Sequence, residues 1–275
     1  AEQGWNTDGM RIVGSPNAAG DGYRIAMDNG ACSFMADSAQ SILYAIEAFP
    51  PIDFHDVAEN PLYGYFGIAS GGPVLWVNEA CRRYTREDLA NDNLALQCLP
   101  GKGNKGNYVV FDQAIFDRFF GKNDDAKKAF YDAIKANGGG SIYQSDSLAD
   151  LAGRFNLDAD ALKAAVDRYN ELCGEGADSD FGKAAGLMVP IETPPFYLAK
   201  LSYNYFFSVG GITTDGRHRV LDGRRNPIEG LYAIGNDGNM LYRNVYTVNM
   251  PGVAFGHQVN SGREAANAVL EYLDR

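Results

Sequence analysis

The sequence is poor in histidine and cysteine, the side chains that most often bind transition metals. Its three histidines are far apart, and its four cysteines show no CxxC spacing. Structural zinc sites and iron–sulfur clusters need several such residues at short, regular spacings. The sequence therefore predicts no metal site and leaves the cysteines as free, buried thiols. These residues are His55, His218 and His257, and Cys32, Cys81, Cys98 and Cys173.

Basic charge and long apolar runs are also scarce. Lysine and arginine number 24 against 35 aspartates and glutamates, which gives a net charge of −11, and no basic stripe stands out. This balance argues against a nucleic-acid partner, and no apolar run is long enough to predict a membrane span. No signal peptide is recognisable. Because the chain starts in the middle of what reads as a domain, an upstream segment is compatible with it, and we predict no compartment.

The chain does contain enough apolar material for a sizeable core. Of its 275 residues, 45% are hydrophobic and 12% are aromatic, which is typical of globular proteins. A chain of this length forms one large domain or two of medium size. No internal repeat or low-complexity segment interrupts it.

The most informative stretch lies near the C-terminus and reads as a strand, a turn and a helix. Gly230–Gly235 is a short apolar run, and Asn236–Asp237–Gly238 has turn chemistry. Pro251–Gly252 stands where a long helix is predicted to begin, and apolar residues recur at helical spacing from Val253 to Leu273. The free amides of a helix N-terminus that faces such a turn suit an electron-rich or anionic group. An ordinary strand–turn–helix packing unit is the alternative interpretation.

A second glycine-rich turn precedes a predicted helix near the N-terminus. Gly20, Asp21 and Gly22 come before an apolar stretch that Gly30 ends. Asp21 suits an N-cap or a first-turn acid, and the glycines let the backbone approach a ligand closely. A capped helix with a glycine C-cap and no ligand explains the same residues, so both interpretations stay open.

Taken in order, these motifs resemble the later part of FAD-dependent reductases of the fumarate reductase/succinate dehydrogenase flavoprotein family. That family includes flavocytochrome fumarate reductases, urocanate reductases and 3-ketosteroid dehydrogenases. The resemblance implies an FAD cofactor, with the last helix directed at the pyrimidine end of the flavin, where reduced flavin carries negative charge. On this resemblance the cofactor-binding residues are Gly20, Asp21, Gly22, Gly235, Asn236, Asp237, Pro251, Gly252, Val253 and Ala254.

The same resemblance gives a role to the arginines that follow Val77–Asn78. The family pattern continues with a short turn, an arginine, an aromatic residue and an acid, and here it reads Arg82–Arg83–Tyr84 before Glu87. Arg83 matches the catalytic arginine, which in the reductases gives a proton to the substrate carbon while flavin N5 gives hydride, and Arg82 is the second candidate. Because the arginine pKa is above about 12, an acidic relay is needed. Its candidates are Glu79, Glu87 and Asp88. A surface arginine in a charged hairpin is the alternative.

The chain departs from the family where the dicarboxylate reductases bind their substrate. Asn249 stands at the position of the second substrate arginine, and no histidine directly precedes Gly210–Gly211. Asparagine cannot replace a bidentate arginine clamp, so fumarate is not the expected substrate. Aromatic side chains suit a larger, flatter, partly apolar acceptor such as an aryl-enoate or an enone, and Arg243 could supply a replacement cation. A role as core strand residues is the alternative for these aromatics. The predicted substrate-binding residues are Tyr205, Phe206, Tyr242, Arg243, Tyr246 and Asn249.

The chain shows no strand–turn–helix unit carrying the family's GxGxxG, which seats the ADP part of FAD. The glycine-rich stretch 101–106 is a polar loop that leads into the predicted strand Tyr108–Asp112. The resemblance therefore covers the later part of a family member. It implies an α+β fold, with a capping domain inserted in part of an α/β FAD-binding domain. We expect residues 1–44 and 206–275 to be FAD-binding segments and residues 45–205 to be the capping domain.

From this resemblance we expect, in the intact protein, an FAD-dependent reductase or dehydrogenase that acts on an activated carbon–carbon bond. Its partners would be a small-molecule substrate and a redox protein as a candidate source of electrons. A 3-ketosteroid dehydrogenase-like enzyme with a tyrosine base is the enzymatic alternative, and that tyrosine would need a partner because its pKa is near 10. A catalytically silent capping module without flavin is the alternative from another class. Flavin binding separates these cases.

Overall fold

The computed structural model describes residues 10–12, 17–34, 40–49, 68, 71–92, 94–121, 123–136, 138, 140–208, 210–242, 246 and 250–274. The chain divides into two compact units. Unit 1 comprises Ala1–Val13 and Leu43–Asn204, and unit 2 comprises Gly14–Ile42 and Tyr205–Arg275. The assignment of a capping role to residues 45–205 and of flavin binding to the flanking segments stays a prediction.

Helices and antiparallel strands alternate irregularly along the chain, which confirms the α+β class. The strands are β1 (Arg11–Ile12), β2 (Gln40–Ile46), β3 (Leu75–Asn78), β4 (Asn107–Asp112), β5 (Ile142–Ser145), β6 (Phe196–Ser208), β7 (Arg219–Leu221) and β8 (Pro227–Tyr232). The α-helices are α1 (Asp21–Asp28), α2 (Leu89–Asp92), α3 (Gln113–Phe120), α4 (Asp124–Ala136), α5 (Leu148–Arg154), α6 (Ala159–Glu175) and α7 (Val253–Leu273). None of these helices is both long and apolar enough to cross a bilayer.

The larger sheet is built around β6, its longest strand. The strands pair in the order β1–β6–β4–β3, and β2 and β5 also pair with β6. In the antiparallel ladders, Val109 lies opposite Ala199 and Leu75 lies opposite Val110. All six residues of β4 are buried. A strand in that position has no solvent face, which is why its sequence lacks the alternation of a half-exposed strand.

Helices α3 and α4 pack aromatic rings against this sheet. Phe111 of β4 and Tyr197 of β6 stack with their ring centroids 4.9 Å apart, and Phe116 of α3 stacks on Tyr197 at 5.3 Å. Phe130 of α4 meets Phe116 edge-on at 5.0 Å. Burying each phenylalanine stabilises the fold by about 1.5–3 kcal/mol, so unit 1 has a hydrophobic core of its own.

Side-chain caps determine where three helices of unit 1 begin. The carboxylate of Asp112 accepts from Ile115 N at 2.9 Å at the start of α3. Ser147 caps α5 in the same way, and Asp158 caps α6. Because such a cap stabilises a helix by about 1 kcal/mol, a polar residue before an apolar run is a strong start signal. The apolar pattern that follows each cap predicts a helix in these three places, and all three helices are present.

Unit 2 is organised on the β7–β8 hairpin. Helix α1 packs on it through a small cluster that consists of Ala26, Ala31, Ile212, Val220 and Ala233. Helix α7 buries Ser261, Ala265 and Ala268. These small side chains let α7 lie close to the hairpin, and they leave the rest of its circumference for other contacts.

Two sequence-based predictions of secondary structure are wrong. Pro50, Pro51 and Pro61 predict a loop-rich stretch over residues 34–61, but β2 lies within it, and its residues 44–46 are fully buried. The prediction gave the nearby prolines more weight than a short apolar run that is long enough for a strand. The strand predicted at Gly230–Gly235 is displaced, because β8 ends at Tyr232 and Gly235 has a φ of 57°.

Candidate functional site

The turn that follows β8 packs too closely for any residue larger than glycine at two positions. A Cβ atom at Gly238 would lie 2.6 Å from the carbonyl carbon of Ala233, and one at Gly211 would lie 2.9 Å from the carbonyl carbon of Asp237. Gly211 and Gly238 form a β-bridge, and Ile212 N donates to Asp237 O at 2.6 Å. Glycine is therefore required here for a close approach of two backbone segments.

This turn is fixed to α7 by side-chain hydrogen bonds. Gly235 N donates to Ser261 Oγ at 3.1 Å, and Gln258 Nε2 donates to Asn236 Oδ1 at 3.3 Å. Ser261 Oγ in turn donates to Gln258 O at 3.1 Å. Two predicted cofactor-binding residues, Gly235 and Asn236, are thus held by the body of the helix.

Asp237 brings the two predicted glycine turns together. Its carboxylate lies beside Gly22, where an added Cβ would be 3.2 Å from Asp237 Cγ. Among the described residues it forms no hydrogen bond or ion pair, and burial raises the pKa of Asp237. Asp21 is different, because its carboxylate has a partner, the guanidinium of Arg24. Gly20 is the N-cap of α1, so Asp21 is a first-turn acid.

Helix α7 begins without a side-chain cap. Gly252 is the N-cap, with a φ of 88°, and it follows Pro251. Val253 and Ala254 are the first helical residues, and Val253 N makes a long contact of 3.4 Å with Met250 O. The leading amides of a helix carry partial positive charge. This end of α7 can therefore stabilise an electron-rich group.

Two buried polar atoms near this turn lack partners within the described part of the chain. They are Asn239 Nδ2 and Tyr242 OH. Asn239 is fully buried, and its Oδ1 accepts from Leu241 N at 3.0 Å. A buried donor left unpaired costs about 1–3 kcal/mol, so such atoms indicate a missing ligand or water. Sequence reasoning missed Asn239, because an asparagine in a polar loop carries no signal beyond turn formation.

The predicted substrate-binding residues are described only in part. Tyr242 and Tyr246 lie together, with their rings in an edge-on arrangement and their centroids 4.9 Å apart. The side chains of Tyr205 and Phe206 lie outside the described residues, as do Arg243 and Asn249. Their roles stay predictions.

In unit 1, Asn78 builds the turn that carries the two candidate arginines. Its Oδ1 accepts from Ala80 N and from Arg82 N, both at 3.0 Å. Cys81 adopts a positive φ of 55° within this turn. Such an Asx turn reverses the chain, and Arg83 comes back to form a β-bridge with Val77. The asparagine in the motif thus has a local structural role.

Arg83 lies in a cage of carboxylates and aromatic rings. Its Nε and Nη2 donate to the two oxygens of Glu87 at 2.8 and 2.9 Å. Its Nη1 and Nη2 donate to the two oxygens of Asp178 at 2.9 and 2.7 Å. The ring centroids of Tyr169 and Phe181 lie 5.4 and 5.0 Å from the guanidinium carbon. Bidentate pairs of this kind are the strongest charge-assisted hydrogen bonds.

The cage favours the charged forms of Arg83 and Asp178. Burial acts to lower the pKa of Arg83, but the hydrogen bonds and charges of Glu87 and Asp178 outweigh it, and they raise that pKa above its usual value. Burial acts to raise the pKa of Asp178, but Arg83 and the amides of Lys183 and Phe181 lower it to about 2. A guanidinium with a raised pKa is a poorer acid. The cage therefore favours a structural role for Arg83.

Lys183 extends the same network, and no sequence motif marks this lysine as part of a site. Its Nζ is fully buried and donates to Val74 O at 2.6 Å and to Tyr169 OH at 2.9 Å. The carboxylate of Glu87 lies 3.2 Å from it. Burial lowers the pKa of Lys183, and Glu87 opposes this. The network joins the turn after β3 to α6 and to the loop around residue 180.

The remaining candidates of the proton-transfer prediction lie outside this cage. Arg82 is exposed, and its side chain makes no hydrogen bond or ion pair within the described residues. Asp88 pairs with Arg86 at 2.7 Å, and Glu79 accepts from Lys105 N and Gly106 N at 3.1 and 3.3 Å. Of the three predicted relay acids, the structure brings Glu87 to Arg83. The described residues also contain no group of three or more potential metal ligands.

Comparisons with known proteins give the family. A family model described as an FAD binding domain matches residues 1–248. Vinyl phenol reductase from Lactiplantibacillus plantarum is 27% identical over 98% of this chain and 56% of its own length. The 3-oxosteroid 1-dehydrogenase of Mycobacterium tuberculosis is 31% identical over 84% of this chain and 46% of its own length. The chain thus spans about half the length of these relatives.

Fold comparison agrees with this result. The crystal structure of 3-ketosteroid delta1-dehydrogenase from Sterolibacterium denitrificans superimposes with a TM-score of 0.66 at 23% sequence identity. The match covers 95% of this chain and 48% of that one. At such identity the likeness concerns the fold alone.

FAD is the cofactor of the matched family, and the described residues of unit 2 fit its flavin end. The uncapped amides of α7 suit an electron-rich ring, and Asn239 offers an unpaired donor. The glycines at 211 and 238 keep the turn free of side chains. Residues 101–106 lead into β4 and not into a helix, so they are not a dinucleotide-binding turn. The chain belongs to the FAD binding domain family, among flavoproteins of the fumarate reductase type.

Proposed function

We propose that the protein is an FAD-dependent oxidoreductase that reduces an activated carbon–carbon double bond in an aromatic or enone-type substrate. The observation that carries this proposal is the similarity to vinyl phenol reductase, which extends over 98% of the chain. When bound, FAD supplies hydride exchange with carbon, chemistry that protein side chains do not provide. The chain's own residues bind the cofactor and the substrate, orient them, and give the substrate a proton.

Unit 2 contributes the groups that hold the cofactor. The first amides of α7 would stabilise negative charge on the ring system when FAD is bound, and no side chain caps that end of the helix. Asn239 would hold the same group through its Nδ2, which is unpaired within the described residues. Asp237 forms no ion pair within the described residues, and partial desolvation raises the pKa of its carboxyl above the usual value.

The substrate pocket favours rings over dicarboxylates. Asn249 replaces the arginine that would complete a carboxylate clamp, and Tyr242 and Tyr246 supply an edge-on pair of aromatic walls. Aromatic side chains are common in the lining of sites for flat, partly apolar ligands. These features support a planar substrate with one polar end.

We propose that the arginine available for proton transfer is Arg82. To reach a substrate, Arg83 would have to leave Glu87 and Asp178, and breaking buried pairs of this kind costs about 3–5 kcal/mol. Arg82 has an exposed guanidinium on the same turn. In this proposal Arg83 stabilises the turn through its ion pairs with Glu87 and Asp178. Arg82 gives the proton, which is the role that the sequence predicted for Arg83.

A 3-oxosteroid dehydrogenase is the second candidate. The specific observation in its favour is the 31% identity to the Mycobacterium tuberculosis enzyme over 84% of this chain. A steroid is also a flat substrate with a polar end, so the aromatic pair suits it as well. The direction of the reaction separates the two candidates, because that relative is named for a dehydrogenation.

Anaerobic turnover assays test the proposal directly. In the first assay the FAD-loaded protein receives electrons from reduced methyl viologen, and 4-vinylphenol, fumarate or a 3-oxo-4-ene steroid is supplied as the substrate in separate reactions. In the second assay it receives a saturated 3-oxosteroid as the substrate and an artificial electron acceptor. The proposal predicts that kcat/KM for 4-vinylphenol exceeds that for fumarate by at least about tenfold. Preferred reduction of fumarate contradicts it, and turnover only with the acceptor and steroid supports the second candidate.

A further inference from the structure

Two of the chain's three histidines lie side by side in unit 2. His218 is in the turn before β7 and His257 is on α7, and their ring centroids are 6.1 Å apart. The sequence predicts no metal site because its histidines are far apart along the chain. The fold removes that separation for this pair.

Each of the two rings has a buried nitrogen atom without a hydrogen-bond partner among the described residues. These atoms are Nδ1 of His218 and Nε2 of His257. Buried polar atoms normally have a partner, so an unpaired one indicates a missing ligand or water. Both side chains remain partly exposed, which leaves a path for an ion from solvent.

The distance between the rings suits a shared metal ion. A bond between zinc and a histidine nitrogen is about 2.0–2.1 Å long. Two histidines on one zinc ion therefore have their ring centroids roughly 5–6.5 Å apart, depending on the angle at the metal. The observed separation of 6.1 Å falls within that range.

The backbone fixes the position of His218 before any ion binds. His218 N donates to Asp215 O at 3.0 Å, and Ala233 N donates to His218 O at 3.0 Å. The carboxylate of Asp215 also accepts from Arg217 N and Arg219 N at 2.9 and 3.0 Å. His218 has a φ of 60° in this turn, and residues held in the left-handed region are common at ligand sites. A ligand on such a turn loses little conformational freedom when it binds an ion.

The charges around the pair favour a cation. The carboxylates that act on the His218 ring are those of Asp215 and Glu264. The two arginines of the turn are both in ion pairs, so their charge is balanced. Burial and then His257 lower the pKa of His218, which favours the neutral imidazole that metal ions bind.

We propose that His218 and His257 form a two-histidine site for a transition-metal dication such as Zn²⁺, with water completing the coordination. Imidazole is a suitable ligand for zinc, copper and nickel ions. Groups of three or more potential ligands do not occur among the described residues, so the site has two protein ligands and exchanges its ion readily. It goes beyond the proposed function and does not depend on it.

A metal ion at this place connects the turn before β7 to α7. One helical turn after His257, Ser261 Oγ accepts from Gly235 N at 3.1 Å, so the same part of α7 also holds the turn after β8. An ion that binds the folded state alone adds to its stability. Zinc should therefore stabilise unit 2 against unfolding.

Calorimetric titration of the chain with Zn²⁺, after removal of metals with EDTA and in the presence of a phosphine reductant, tests the proposal. His218→Gln and His257→Gln each remove one ligand, and His55→Gln removes the remaining histidine as the matched control. We expect one zinc ion per chain with a Kd on the order of 10 µM. Each ligand variant should weaken binding at least about tenfold, whereas the control should not. Zinc should raise the thermal midpoint of the unsubstituted chain and of the control.

Proton NMR of the His55→Gln chain gives a second measurement that does not require the ligand variants to fold. His218 and His257 are its two remaining histidines, and the imidazole resonances of both should shift when zinc is added. A shift of one or neither overturns the proposal. Absence of zinc binding, or binding that both ligand variants leave unchanged, also overturns it, because the ion is then not bound or is held by other residues such as cysteines. None of these measurements involves flavin or substrate, so their outcome is separate from that of the turnover assays.

Discussion

Arg83 and Glu87, four residues apart, form a bidentate ion pair in which Nε and Nη2 donate to the two carboxylate oxygens at 2.8 and 2.9 Å. The guanidinium keeps 9% of its side-chain surface exposed, and the carboxylate keeps none. Asp178 closes the other side of the guanidinium. The turn after β3 is therefore tied to a distant part of unit 1 through one cation.

Replacing Arg83 by alanine should destabilise unit 1. The change leaves Glu87 and Asp178 buried without their main cation, and removing one partner of a buried pair typically costs about 3–5 kcal/mol. Denaturant unfolding followed by tryptophan fluorescence measures this, since Trp76 is buried in β3. The matched variant Arg82→Ala should change stability by less than about 0.5 kcal/mol, because Arg82 is exposed.

Arg82→Ala and the conservative variant Arg83→Lys distinguish a structural role from proton transfer. If Arg82 gives the proton, Arg82→Ala lowers kcat by at least about a hundredfold at unchanged stability. Arg83→Lys should keep part of the activity, because it retains a cation for Glu87 and Asp178. Full activity in Arg82→Ala together with a stable but inactive Arg83→Lys returns the role to Arg83.

Acid should weaken unit 1 through Asp178. Its pKa in the folded protein is about 2, below the unfolded value of about 3.9, so the folded state binds this proton less readily. The resulting stability is present above about pH 4 and is lost as the pH falls towards 2, by about 2–3 kcal/mol in total. Equilibrium unfolding across this range measures it, and Asp178→Asn should flatten the slope. An unchanged slope in that variant would remove Asp178 from the account.

His218 should make unit 2 sensitive to mildly acidic pH. Burial and then His257 lower the pKa of His218, while Asp215 and Glu264 act against them. Because the folded value lies below the unfolded value of about 6.5, stability is complete above pH 6.5 and falls as the pH drops below it. Thermal unfolding at a series of pH values checks this. The slope should be smaller in His218→Gln, and a slope that persists there contradicts the assignment.

Gly238→Ala should disrupt the turn after β8. The new methyl group would collide with the backbone of Ala233, and backbone cannot move aside as a flexible side chain can. We expect a loss of at least about 2 kcal/mol in stability and a loss of flavin binding. Gly216→Ala is the control, because nothing lies within 4 Å of its added Cβ. Equal flavin affinity in both variants would show that this turn does not shape the site.

The local order of elements could be predicted from the sequence where a cap or a glycine sets it. Three helix starts are indicated by the capping residues Asp112, Ser147 and Asp158, because their side chains accept hydrogen bonds from the first free amides. The strand β2 could not be predicted with the same ease, since Tyr44 owes its burial to contacts with distant residues such as Tyr203.

Some residues of the candidate site could likewise be recognised from the sequence, and others could not. The sequence indicates the importance of glycines 211, 238 and 252, because few other residues tolerate a close backbone approach or a positive φ. The partners of Arg83 are not visible. Asp178 lies 95 residues away, and Lys183 becomes significant only once the fold buries it beside Glu87. The sequence motif therefore suggests that Arg83 is catalytic, whereas the geometry of its ion pairs favours a structural role.

An equilibrium flavin titration of the purified chain tests the central claim most directly, namely that unit 2 holds the flavin end of FAD. The account predicts a saturable change in the visible flavin spectrum with FAD and also with FMN, because both ligands carry the isoalloxazine ring that unit 2 is proposed to hold. Asn239→Ala should weaken both, since it removes the unpaired buried donor. No spectral change with either ligand would contradict the account, and a strong preference for FAD over FMN would place an ADP site within these residues.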